Sequence, residues 1–182
     1  MLTSQRFLKD NAAVAISTWR QYSPEARIAI LDVDFHHGNG TQDIFYDDSR
    51  VFYTSIHGED EFPYYTGAEV ERGTGEALGM NLNLPLPTGS SFKQYQEKLQ
   101  LAINAISNYG PELLVVSLGL DTFHLDPLGK FDIDTEDYEA MAAQVRRQLP
   151  SVPAVILFEG GYSIEHLGVN MLSFLSGWEP KT

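Results

Sequence analysis

Four side chains carry most of the chemistry this sequence could do. Asp34 and His36 lie two residues apart after an apolar run, Ile28 to Leu31. Side chains alternate along an extended strand, so Asp32, Asp34 and His36 are expected to share one side. Asp121 follows a second apolar run, Leu113 to Leu118, and Tyr162 follows a third, Ala154 to Phe158, across the glycines Gly160 and Gly161. Two carboxylates and one imidazole leave a coordination position open on a tetrahedral ion, the pattern of a catalytic rather than a closed structural zinc site. The oxygen-rich set also suits iron(II), manganese or cobalt. Such an ion polarises a carbonyl and acidifies bound water. Tyr162, on a flexible glycine turn, can donate to an oxyanion.

The elements that must position these residues alternate between strand and helix. Helices are expected over Asp10–Tyr22, Thr41–Phe45, Ser91–Tyr109, Thr135–Leu149 and Ser163–Leu175, with Thr41 and Thr135 as caps of two of them. Strands are expected over Arg27–Val33, Val51–Ile56, Asn81–Leu84, Glu112–Leu118 and Pro153–Phe158, the third closed by Pro85-Leu86-Pro87. Ala12, Val14, Ala15, Ile16 and Trp19 give the first helix its apolar face; Tyr95, Leu99, Ala102, Ile103 and Ile106 give the third its own. Long loops span His57–Met80 and Gly119–Asp134. Strand–helix alternation with continuous apolar strands predicts one α/β domain over residues 1–182, a parallel sheet covered on both faces. Ligands of such sheets bind beyond the carboxyl ends of the strands, where Asp34, His36, Asp121 and Tyr162 all fall.

Composition narrows the partners. The chain of 182 residues has 25 acidic and 12 basic side chains, a formal net charge of −13. That balance argues against direct nucleic-acid binding and is compatible with a cationic substrate. The chain has no cysteine, which excludes disulfides, thiolate-bound metals and a cysteine nucleophile. No apolar run reaches the roughly 20 residues of a membrane span. Met1 to Arg6 lack the pattern of a signal peptide, so the expected location is the cytoplasm.

Three motifs resemble those of the histone deacetylase and acetylpolyamine amidohydrolase superfamily. They are Asp32-Val33-Asp34-Phe35-His36-His37-Gly38-Asn39-Gly40, then Gly119-Leu120-Asp121-Thr122-Phe123 with Asp126-Pro127, then Glu159-Gly160-Gly161-Tyr162. The resemblance implies the three-layer, arginase/deacetylase-like fold. It implies zinc on Asp34, His36 and Asp121, and Tyr162 as the oxyanion donor. It implies a potassium or sodium ion held by Asp32, Ser55 and Ile56 with backbone oxygens of Asp34 and His36. Leu128, Gly160 and Gly161 take positions along the substrate channel. The substrate implied is an acetylated amine, either an acetyl-lysine or an acetylpolyamine.

One departure from the family pattern matters more than these matches. The family carries a tandem histidine pair, acting as general base and acid, upstream of the helix that begins here near Asn11. The five histidines of this chain are His36, His37, His57, His124 and His166, and none precedes the metal motif. The expectation is therefore a form lacking the N-terminal part of the domain, with weak or no deacetylase activity on its own. A non-catalytic metal-binding or interaction module is the alternative. An arginase-like two-manganese site would need further aspartates where Gly38 and Asn39 stand. An edge exposed by missing strands predicts a homo-oligomer or a partner chain covering it. His37 is expected to back the metal site or, by preference, to pack; His57 and His166 to be structural or exposed; His124 to face the site or, by preference, to be a solvated loop residue; and Asp126 to fix a turn. Tyr64 and Tyr65 are open to a role in a channel or in a subunit contact.

Overall fold

A computed structural model describes residues 10–179; the N-terminal segment read above for a signal pattern lies outside them. Five strands form one parallel sheet: β1 (Ile28–Asp32), β2 (Val51–Gly58), β3 (Asn81–Leu86), β4 (Leu113–Leu118) and β5 (Ala154–Phe158), in the order β3-β2-β1-β4-β5. The helices are α1 (Asn11–Arg20), α2 (Asn39–Phe45), α3 (Phe92–Tyr109), α4 (Thr135–Gln148) and α5 (Ile164–Trp178).

Strand alternation divides the core in two. Ile28, Ile30, Val51, Tyr53, Leu113 and Val115 face α1 and α2. Ala29, Leu31, Phe52, Leu114, Val116 and Leu118 face α3, α4 and the buried Phe174 of α5. The expected three layers are therefore present. β1, β2 and β4 are buried throughout, which explains why their sequences run apolar without alternation.

The helix signals act much as expected, with corrections at the caps. Asp10 caps α1, its Oδ1 accepting from Ala13 N at 2.8 Å. Ala13 rather than Val14 is buried on the inner face of α1. Ser91 and Gln94 form a capping box at α3, and Gly110, at φ +66°, closes that helix with its N–H on Ile106 O. Glu136 and Asp137 open α4, and Arg146 and Arg147 end it, each sign matched to the helix dipole. Thr135 does not cap α4: Asp134 does, its carboxylate taking the Asp137 N–H while the Asp137 Oδ2 accepts from Asp134 N at 2.9 Å. Thr41 does not cap α2 either. That helix starts at Asn39, and the Thr41 hydroxyl donates to Asp10 Oδ2 at 2.6 Å, tying α2 to α1.

Several boundaries also shift. β2 runs on to Gly58, β3 continues through Pro85 to Leu86, and α5 extends to Trp178. Pro85 is tolerated because β3 is an edge strand. Tyr53 N donates to Met80 O, which by parity turns the even-numbered residues of β3 toward β2 and the nitrogen of Pro85 outward. The loop after β2 contains one short 3-10 turn, Gly75–Ala77. No helix among the described residues is long and apolar enough to cross a membrane.

β1 connects to β2 on one side of the sheet, while the later strands β4 and β5 lie on its other side. The switch in winding direction falls between β1 and β4. Loops leaving their carboxyl ends diverge there and open a crevice.

Candidate metal centre

The crevice at the β1/β4 switch brings Asp34, His36 and Asp121 together, with one ligand atom from each within 4.8 Å of the others. β1 ends at Asp32, so Asp34 and His36 sit on a turn beyond it rather than on the strand. That turn is closed by its own side chains: Asp34 N donates to Asp32 Oδ1 at 3.2 Å and His36 N to Asp34 Oδ1 at 2.8 Å. Asp121 reaches in from the loop after β4 and is wholly buried. Its Oδ1 accepts from Phe35 N at 2.9 Å and its Oδ2 lies 2.8 Å from His36 Nδ1.

The loop after β5 roofs these three side chains. Gly160 N donates to Asp34 Oδ2 at 2.9 Å. A Cβ on Gly160 would run into the carboxylates of Asp34 and Asp121, and one on Gly119 would run into Asp34. Gly161 adopts φ +139°, a conformation L side chains rarely take, and turns the chain from this roof toward Tyr162.

Charge in the cluster is tightly balanced. Hydrogen bonds to Asp121, then to Asp34, hold the His36 imidazole protonated, raising its pKa to about 10 against the opposing effect of burial. Burial pushes Asp121 up to about 7; its bond to His36 opposes this, and the charge of Asp34 adds to it. Burial would also raise Asp34, but hydrogen bonds from His36 and Asp121 and from the N–H groups of His36 and Gly160 outweigh it, and its pKa falls. Two carboxylates that stabilise a proton on an imidazole will stabilise a divalent cation in its place. One atom from each of Asp34, His36 and Asp121 suits the three-ligand open arrangement, so the residues present fit the group.

The other expected residues are distributed around this centre. Asp32 is buried behind it; burial foremost, then the charge of Asp34, raises its pKa, and Tyr53 donates to its Oδ2 at 2.9 Å. Ser55, paired in register with Asp32, has its hydroxyl 2.8 Å from His57 Nδ1, and Ile56 is fully buried beside it. Leu128 is exposed on the loop after Asp121. Tyr162 is 48% exposed; burial, then the charges of Asp121 and Asp34, raises its pKa.

His37 is buried, with both ring nitrogens engaged. Its Nε2 lies 3.1 Å from Gln42 Oε1 and its Nδ1 3.2 Å from Thr66 Oγ1. His57 is buried beside it, with its Nε2 3.1 Å from Gly67 O. His124 pairs with Asp134 at 3.0 Å, and His166 Nδ1 lies 2.9 Å from Ser163 Oγ. Tyr64 and Tyr65 are both exposed.

Three features escaped the sequence. Phe62, from the long loop, sets its ring 6.3 Å from that of His36. A cavity of about 210 Å³ on the α1 side of this cluster is lined by Asp10, Asn11, Asp32, Ser117 and Glu159 among others, with no basic side chain except His36. Asp126 does fix a turn, accepting from Leu128 N and Gly129 N, and it also reaches the Tyr162 loop. The Glu159 carboxylate next to the glycine turn was the available hint of the cavity; nothing in the sequence pointed to Phe62.

A histone deacetylase domain profile matches residues 8–178. The chain belongs to the histone deacetylase domain family. Acetylpolyamine amidohydrolase 2 of Pseudomonas aeruginosa is 43% identical to this deacetylase-family chain over 172 residues, 93% of the chain and 49% of that protein. An acetylpolyamine amidohydrolase from Mycoplana ramosa is 40% identical over 92% of the chain and 49% of its own length. Among solved structures, an acetylpolyamine aminohydrolase from Burkholderia pseudomallei superposes with a TM-score of 0.84 at 38% identity, covering 91% of this chain and 48% of that one. The histone deacetylase Clr3 gives 0.85 at 28% identity over 93% of this chain and 30% of that one. The chain thus spans about half the length of the curated acetylpolyamine amidohydrolases it matches.

Proposed function

We propose that this domain carries the metal-binding part of a deacetylase site and that the ion it holds is zinc. The observation that carries the reading is the convergence of Asp34, His36 and Asp121 at the β1/β4 switch under the Gly160 roof. The substrate is an acetylated amine, an acetylpolyamine or acetyl-lysine; the amidohydrolase relatives support the class. A bound divalent cation supplies Lewis acidity toward the acetamide carbonyl and acidifies coordinated water. Phe62, Leu128 and the Gly160-Gly161 turn line the approach. The Tyr162 hydroxyl donates to the carbonyl oxygen as negative charge develops on it. Asp32, Ser55 and Ile56, with the backbone of Asp34 and His36, hold a potassium or sodium ion behind the centre.

In this chain alone the reaction is slow or absent. His36 is a ligand, and both ring nitrogens of His37 and of His57 are engaged by Gln42, Thr66, Ser55 and Gly67. Neither His37 nor His57 therefore has a free ring nitrogen to serve as the base. The same observation favours a second reading, a metal-binding or interaction module without turnover. Residues 1–182 belong to one domain that works in the cytoplasm, with a second copy or partner chain covering the open edge at β5. Zinc content by mass spectrometry, with turnover of a fluorogenic acetyl-lysine and of an acetylated diamine, tests both. Zinc near one equivalent with slow turnover supports the enzyme; zinc with none at any enzyme concentration supports the module. No zinc, or turnover equal to that of a full-length relative, overturns the proposal in its binding or its catalytic part.

A further inference from the structure

Asp126 has no basic partner among the described residues, yet its buried carboxylate accepts four backbone N–H groups from two separate loops. Oδ1 takes Leu128 N at 2.9 Å and Gly129 N at 3.2 Å. Oδ2 takes Tyr162 N at 2.7 Å and Ser163 N at 3.1 Å, across 36 and 37 residues of chain. A turn-fixing aspartate needs only the first pair. The second pair crosses to the loop after β5, immediately ahead of α5.

The loops so joined are those that flank the ligand cluster. Gly129 presses on the carbonyl of Asp121, and a Cβ there would overlap it. On the other loop, Gly160 is fastened to Asp34 through its N–H and accepts from Leu120 N at 2.8 Å through its carbonyl. Gly161, at φ +139°, therefore lies between two anchors, Gly160 on Asp34 and Tyr162 on Asp126. Without the second anchor, a glycine of such freedom would let the exposed phenol swing away from the crevice.

We propose that Asp126 is a positioning residue that clamps the backbone of Tyr162 and thereby fixes the phenol relative to the Asp34/His36/Asp121 centre. The clamp rests on the deacetylase reading only for the use to which the phenol is put, and it can be measured without turnover.

The experiment places 3-fluorotyrosine at position 162 of the whole chain and follows its fluorine resonance during zinc titration, in the unmodified protein and in Asp126→Ala. In the former, zinc loading moves the resonance. In Asp126→Ala the movement is lost while zinc affinity stays within about threefold, a combination that general loss of structure would not produce. An undiminished zinc-induced shift in Asp126→Ala overturns the proposal, as does a parallel collapse of zinc affinity, which would make Asp126 a support of the metal loop instead. Backbone hydrogen exchange in the unmodified protein decides the matter if the variant does not fold or if zinc moves nothing even in the unmodified protein. Slow exchange at Tyr162 and Ser163 supports the clamp, and exchange at the rate of an open loop overturns it. A silent resonance combined with slow exchange sinks the role of Tyr162 in the reaction but leaves the clamp standing.

Discussion

His36 Nδ1 and Asp121 Oδ2 lie 2.8 Å apart, although 85 residues and three strands separate them along the chain. Neither is part of a strand; each stands on a loop leaving one of two adjacent parallel strands, β1 and β4. The contact therefore depends on the register of those strands, Ile28 opposite Leu113 through Asp32 opposite Ser117, more than on anything local to either loop.

Removing the charge of Asp121 should abolish tight zinc binding while leaving the fold intact. Asp121→Asn keeps an oxygen for the Phe35 N–H, avoiding the 1–3 kcal/mol or so that an unsatisfied buried donor costs. Zinc affinity by competition with a chromogenic chelator should fall by more than the roughly 10- to 100-fold typical of losing an outer-shell partner. An unchanged affinity would remove Asp121 from the ligand set.

Gly160→Ala tests the roof of the site. The added methyl would meet both ligand carboxylates, so zinc affinity should drop with little change in circular dichroism. Gly168→Ala is the control: its Cβ would meet nothing within 4 Å, it lies inside α5, and the change should add up to about 1 kcal/mol of stability. Equal effects of the two on zinc binding would contradict the steric account.

His57 should make stability fall as the medium is made acid, against Asp121 and Asp32, whose raised pKa values act in the opposite sense. Burial foremost, then the neighbouring His37, lowers the His57 pKa to about 3. Between that value and the unfolded pKa of roughly 6.5, the unfolded chain binds the extra proton and the folded chain does not. The stabilisation is therefore complete above the unfolded value and is lost at up to about 1.4 kcal/mol per pH unit as pH falls toward the folded one. The difference in urea-unfolding stability between the unmodified protein and His57→Asn should carry this slope, because the opposing groups cancel in it; a difference independent of pH would refute the assignment.

The apolar surface of α5 predicts association. Ile164, Val169, Leu172 and Leu175 are exposed, as is Phe158 at the end of β5. Sedimentation across micromolar concentrations should show a rising mass, reduced in Leu172→Glu. A constant monomer mass over that range would count against a covered edge.

Much of this arrangement could be read before any coordinates. The five residues assigned to the inner face of α3 are those the helix buries, because a surface helix over a flat sheet imposes one period along its whole length. The convergence of Asp34, His36 and Asp121 was legible because a parallel sheet collects its loops at one end. The misreadings share another cause. Thr41 and Thr135 have the composition of caps, but whether a hydroxyl turns back on its own helix or outward to Asp10 depends on what packs alongside. Val14 and Ala13 are both apolar, and only the direction from which β4 and β5 approach α1 settles which is covered. Asp126 offered one turn to the sequence; its grip on Tyr162 exists only once two loops have been brought side by side.

The proline in β3 gives the sheet a direction of growth. At that margin the outward-facing nitrogen of Pro85 has no hydrogen to offer, so a further strand laid there would meet a gap in its ladder. At the opposite margin, β5 carries no proline within Ala154–Phe158 and keeps all of its outward donors. Additional strands are therefore more readily appended beside β5 than beside β3, and the loop after every parallel strand added there would emerge at the same rim as Asp34 and Asp121.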